Sequence, residues 1–142
     1  MGSFDHLVKE HDRLGLLAHR LLVMAEGEPD VDALVELRTS LAIELAHHCA
    51  KEDGFVYPAL IADADYQVSQ IAKNFIHEFK DIATVWASYL DGWSTARIAE
   101  NWDGFRAETR LMVKRLQDRI YRENNELYPL ALQVGAIRLR SA

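Results

Sequence analysis

Two segments of the chain repeat one another: Glu52-Asp53-Gly54-Phe55-Val56-Tyr57-Pro58 and Glu123-Asn124-Asn125-Glu126-Leu127-Tyr128-Pro129. Four residues before each glutamate stands a residue that decides the chemistry, His48 in the first copy and Arg119 in the second. One helical turn stacks each pair on a single face. A second echo lies upstream, where Glu10-His11-Asp12-Arg13-Leu14 matches Glu78-Phe79-Lys80-Asp81-Ile82 in charge and apolar pattern. The chain therefore reads as two copies of a two-helix unit. One copy carries His11, His48 and Glu52; the other carries Phe79, Arg119 and Glu123.

Helical periodicity runs through both copies. Ser3 caps a first helix to about Glu26, where Gly27-Glu28-Pro29-Asp30 supplies a stop, a break and the next cap. Its expected inner stripe is Phe4, Leu7, His11, Gly15, Ala18, Leu22 and Ala25. The second helix follows Asp30 with Leu34, Leu37, Leu41, Glu44, His48, Glu52 and Phe55 inside, and should end at Tyr57-Pro58 because an interior proline breaks the hydrogen-bond ladder. The third is expected as one helix from Asp65 to Gly92 with the stripe Val68, Ile71, Phe75, Phe79, Ile82, Trp86 and Tyr89. Ser94 caps a short segment leading to the fourth, whose stripe is Trp102, Phe105, Thr109, Met112, Leu116, Arg119, Glu123 and Leu127. Seven glycines, three prolines and few clusters of β-branched residues leave no strand signal. The expected architecture is all-α, an up-down-up-down four-helix bundle forming one domain over 1–142, with 130–142 a frayed C-terminal extension.

Composition narrows the function classes. A net charge of −6 with both signs scattered argues against nucleic acid and supplies no polybasic membrane patch. No apolar run reaches the roughly 20 residues of a membrane span. A lone cysteine, Cys49, cannot form an internal disulfide, so the reading is a cytoplasmic protein with small partners. Cys49 lies off the inner face and reads as a small buried filler rather than a nucleophile.

The stripes bring polar groups into the core. His11 points inward at the level where His48 and Glu52 arrive, and Glu123 is a fourth inward group. Imidazole and carboxylate donors suit iron, zinc or manganese. Two carboxylates and two imidazoles buried without a cation cost several kcal/mol or force protonation, so a metal or an internal base is needed. Arg119 is the candidate internal base, one turn from Glu123 and able to pair with one or both carboxylates. Glu44, one turn before His48, is a candidate supporting partner for a histidine or for Arg119. His77 falls about 200° from Phe79 on the helical wheel, among polar residues, and reads as solvent-facing. His47, His6 and His19 read as flanking or surface residues.

On these residues the chain resembles the bacterial hemerythrin-like (HHE cation-binding) family, from the Glu10-His11 helix through His48 and Glu52 to the Glu123 to Pro129 end. The resemblance implies a four-helix bundle with a non-haem di-iron centre. In that family histidines of the first and second helices hold one iron, those of the third and fourth hold the other, and two glutamates bridge them. His11, His48, Glu52 and Glu123 match, whereas Phe79 and Arg119 stand where the second iron's histidines belong. The resemblance thus implies one metal per chain, iron first, with zinc or manganese as alternatives. A single ferrous ion with an open position would suit dioxygen, nitric oxide or peroxide in sensing or stress protection, as a binding protein rather than an enzyme. The alternative is a metal-free bundle in which Arg119 replaces the metal's charge, serving as an interaction or regulatory module.

Overall fold

The computed structural model describes residues 3–79 and 81–140, so residues 1–2, 80 and 141–142 of the expected 1–142 domain lie outside the described residues. Helices are the regular elements among the described residues, joined by short turns, with one isolated backbone bridge between Ser3 and Arg138. Four rods form the bundle. The first is α1 (Phe4–Glu26). The second is α2 (Val31–Lys51), which passes through a π-helical turn (Glu52–Val56) into α3 (Tyr57–Ile61). The third is α4 (Tyr66–Phe79) followed by α5 (Ile82–Gly92). A short α6 (Thr95–Glu100) leads to the fourth, α7 (Trp102–Arg122), which continues through a second π turn (Glu123–Leu127) into α8 (Tyr128–Gln133).

Local chemistry sets these boundaries. The Asp30 carboxylate accepts from Ala33 N–H and the Ser94 hydroxyl accepts from Arg97 N–H, each satisfying an orphan donor of a first helical turn. The Tyr-Pro pairs do not end their helices, contrary to expectation. Pro58 and Pro129 occupy the first turn of α3 and α8, where a missing N–H costs nothing. The turn before each is widened so that Tyr57 N–H donates to Glu52 C=O and Tyr128 N–H to Glu123 C=O, five residues back. Widening relieves the proline ring's clash with the carbonyl four residues earlier. It also delays the helical phase by one residue. Phe55, expected inside, is therefore 59% exposed, while Val56 and Tyr57 turn into the core.

Three further expectations are corrected. The third rod is not one helix: α5 starts afresh at Ile82 with Asp81 outside helical geometry, and α4 buries Val68, Ala72, Phe75 and Phe79 with Ile71 on its exposed flank. On α1 and α2 the buried faces include Leu14, Leu17, Leu21, Arg38 and Leu45, and Gly15, Leu22, Leu37 and Glu44 flank them half-buried. The tail is not frayed over its described part: Ala131 and Ile137 are buried. Gly135, at φ 77, reverses the chain after α8, letting Ala136 N–H reach Ala131 C=O and Gly135 N–H reach Leu132 C=O. The reversed segment then offers the Arg138 and Leu139 carbonyls to the N–H groups of Phe4 and Asp5 in the first turn of α1.

The core is divided. One apolar cluster, around Leu14, Leu21, Leu41, Trp86, Phe105 and Leu116, fills one end of the bundle. The other, around Leu7, Val56, Leu60, Phe75, Leu127 and Ala131, fills the opposite end. Full burial of each such side chain stabilises the fold by about 1.5–3 kcal/mol. Between the two clusters in the chain's helical register lies a layer of buried polar groups: His11, His48, Glu52, Arg119 and Glu123.

Candidate metal centre

The helical register delivers this layer. His11 sits mid-way along the Leu7–Leu14 face of α1, and His48 and Glu52 lie one turn apart where α2 enters its π turn. Arg119 and Glu123 hold the matching places on the fourth rod. His11, His48, Glu52 and Glu123 each offer a donor atom, and these four atoms lie within 4.8 Å of one another. Every one of the four side chains is at most 3% exposed. His11 Nε2 is 3.1 Å from Glu123 Oε1, and His48 Nε2 is 2.6 Å from Glu52 Oε1.

Outer partners fix how the imidazoles present themselves. His11 Nδ1–H donates to the Asn124 side-chain oxygen at 2.6 Å, and His48 Nδ1–H donates to Glu10 Oε1 at 2.9 Å. Where a ring's proton sits on Nδ1 in these bonds, its Nε2 lone pair faces the interior, the tautomer a metal ligand requires, and with no ion bound His11 Nε2 lies in hydrogen-bond range of Glu123. Burial, reinforced by the neighbouring His11, pulls His48 down to about 4, so its ring is neutral at pH 7. Burial alone would raise the Glu10 carboxyl. Hydrogen bonds from Lys51 and His48 outweigh it and hold Glu10 below the usual carboxylate range.

The carboxylates are unequally served. Glu123 accepts from Tyr57 Oη at 2.9 Å and lies 3.4 Å from Arg119 Nε. Burial opposes its ionisation, but contacts with Glu52, His11 and Arg119 prevail and hold it well below its usual value. Glu52 is wholly buried, and neither of its oxygens makes a hydrogen bond among the described residues. Arg119 Nη2 is 3.6 Å away, an electrostatic contact only. Burial first, and then the charge of Glu123, push the Glu52 carboxyl well above its ordinary value. Without a cation beyond Arg119, the layer reaches neutrality by keeping a proton on Glu52.

Arg119 points inward, as the sequence suggests. Its Nη1 also donates to the Phe79 carbonyl at 3.1 Å. Phe79 is the last residue of α4, so the guanidinium takes a carbonyl that a continuous third helix would have used internally. Burial disfavours the charge on Arg119, yet Glu123 and Glu52 reverse that effect and raise it. Glu44 does not join this layer. It pairs with Arg13 on the flank of α1, and the acid that supports His48 is Glu10. The phase of α2 explains the difference, since its buried face runs through Leu41, Leu45 and His48 and turns Glu44 toward α1's outer edge.

His6, His19, His47 and His77 are exposed and outside the cluster. Cys49 is buried, its thiol pushed up to about 11 by burial, which suits an inert filler. Four contributors escaped the sequence reading: Glu10, Asn124, Tyr57 and Tyr128. The repeat itself marked them, because Glu10 and Asn124 adjoin ligands in sequence and the two tyrosines belong to the repeated Tyr-Pro pairs.

An all-α bundle with two imidazoles and two carboxylates converging in its core defines a class of helical proteins that hold metal between their rods. Within that class this chain belongs to the hemerythrin HHE cation binding domain family, whose model matches residues 3–131. No curated protein and no solved structure matches the chain. No helix among the described residues is long and apolar enough to cross a membrane.

Proposed function

We propose that the chain binds one metal ion, iron first, through His11, His48, Glu52 and Glu123, and presents it to a small ligand such as dioxygen, nitric oxide or peroxide. The observation that carries this reading is Glu52. An ionised Glu52, shut from water and offered no hydrogen-bond donor, costs several kcal/mol, and a cation at the neighbouring imidazoles would offset that cost. Two imidazoles and two carboxylates suit ferrous or ferric iron, with zinc or manganese as lesser alternatives. When bound, iron would supply a redox-active centre able to take a diatomic or peroxide ligand.

This chain's own residues do the rest. Asn124 and Glu10 hold the imidazoles in the ligating tautomer. The two apolar clusters shield the layer from bulk water. Arg119 neutralises one carboxylate and fills the place of a second ion, so the reading is a one-metal binding protein for sensing or stress protection, working in the cytoplasm, rather than an enzyme. Reversible dioxygen carriage that draws electrons from two irons is not part of it.

One observation favours a second reading, a metal-free bundle acting as an interaction or regulatory module. Arg119 already approaches both carboxylates, and a protonated Glu52 leaves the layer neutral. Elemental analysis of protein purified without chelators separates the two. About one iron or zinc per chain, lost in His48→Ala, supports the metal reading, and a metal content near zero in wild type supports the second. Optical titration of the ferrous protein with nitric oxide then tests the small-ligand role, which fails if no spectral change appears.

A further inference from the structure

The two tyrosines of the repeat are not equivalent. Tyr57 Oη donates to Glu123 Oε2, an ordinary bond to a carboxylate acceptor. Tyr128 Oη instead lies 3.0 Å from His11 Nε2 and 3.3 Å from His48 Nε2. Either nitrogen can accept from the phenol only when its ring's proton sits on Nδ1, where Asn124 or Glu10 accepts it. A phenol has one proton, so Tyr128 can donate to only one of the two nitrogens at a time.

Spacing points to a shared ion. Donors at right angles around a metal with bonds of about 2.1 Å stand about 3 Å apart. The contacts of Tyr128 Oη with the two Nε2 atoms, and of His11 Nε2 with Glu123 Oε1, are of that length. Tyr128 is fully buried and its ring stacks on His11 at 5.0 Å and 16°, which fixes the direction of its hydroxyl. The π turn explains how it arrives, since the one-residue delay after Glu123 brings Tyr128 to the inner face.

We infer that Tyr128 is a fifth donor, its phenol oxygen ligating the same ion as His11, His48, Glu52 and Glu123. This rests on the metal reading above. On binding, the ion replaces two protons, that of the phenol and the one Glu52 keeps without metal, and both pass to solvent. Two carboxylates, one phenolate, one guanidinium and one divalent ion then cancel in charge, so a layer sealed from water carries no net charge.

The test uses the full chain loaded anaerobically with ferrous iron and oxidised with ferricyanide. The ferric protein should show a visible phenolate-to-iron charge-transfer band, with tyrosinate vibrations under resonance Raman excitation in that band. Tyr128→Phe should keep about one iron per chain and lose the band, and Tyr57→Phe should keep both. Wild type that holds iron without the band, a band that survives in Tyr128→Phe, or one lost in Tyr57→Phe overturns this inference alone. Wild type that binds no iron overturns the metal reading and this inference with it. If Tyr128→Phe does not fold, the wild-type Raman spectrum and Tyr57→Phe decide, tyrosinate vibrations unchanged by the Tyr57 substitution supporting Tyr128.

Discussion

The polar layer has two halves of common pattern and opposite chemistry. On one side His11, His48 and Glu52 present lone pairs to one another, with Tyr128 between the rings and no hydrogen bond on Glu52. On the other, Arg119 closes an ion pair with Glu123, Tyr57 donates to the same carboxylate, and the Phe79 carbonyl accepts the guanidinium's remaining reach. One half lacks positive charge and the other supplies its own. The lesson is that a buried carboxylate is settled either by a cation from solution or by one built into the chain, and on the proposed reading the duplicated unit uses each solution once.

The largest expected effect breaks the self-sufficient half. Replacing Arg119 by methionine removes the cation of the polar layer while leaving both carboxylates, and the metal-free protein should lose about 3 kcal/mol or more in chemical denaturation. Loading metal should restore part of that loss. Stability near wild type without metal would show that the carboxylates do not depend on Arg119.

Glu52→Gln acts on the other half. It should abolish metal binding, yet leave the metal-free protein more stable at neutral pH, because the amide never has to ionise. The sign follows from the raised Glu52 value. The folded protein keeps a proton that the unfolded chain gives up above its ordinary value of 4.5, so wild-type stability is greatest below that pH and falls as pH rises toward the folded value. The advantage of Glu52→Gln should therefore grow with pH, by at most about 1.4 kcal/mol per unit. A difference that is flat from pH 4 to 7 would contradict the charge assignment (pH range roughly that of ordinary carboxylate titration).

Converting the second half into a copy of the first sharpens the comparison further. The double variant Phe79→His/Arg119→His should raise metal content from about one to about two per chain, and neither single substitution should do so. The break after Phe79 bears on this variant, because removing Arg119 frees the Phe79 carbonyl to rejoin a continuous third helix. The smallest effect is expected at Asn124→Ala. His11 would lose the acceptor that orients its Nδ1–H, and metal affinity should fall about 10-fold to 100-fold with ligands intact, measured by competition with a chelator.

Most of the polar layer was legible because helical spacing is strict. His11, His48, Glu52, Arg119 and Glu123 are all buried where a stripe of threes and fours puts them. Glu44 was misplaced because the stripe through Leu37 and Glu44 and the stripe through Arg38 and Leu45 differ by one residue, and only packing against α1 and α5 chooses between them. The Tyr-Pro ends were misread as stops for a different reason. A proline preceded by a π turn sits in a first turn and is tolerated, and nothing in composition distinguishes that from a helix end. The same phase shift hid the roles of Tyr57 and Tyr128. Glu10 was visible as a neighbour of His11, but its partner His48 lies on another helix, a contact that no local pattern encodes.

A crystal structure of iron-loaded protein, with data collected at the iron edge, tests the difference between the halves most directly. The expected result is a single anomalous peak among His11, His48, Glu52 and Glu123, with the Arg119 guanidinium still on Glu123. No peak in that layer, or a second peak between Phe79 and Arg119, would contradict it.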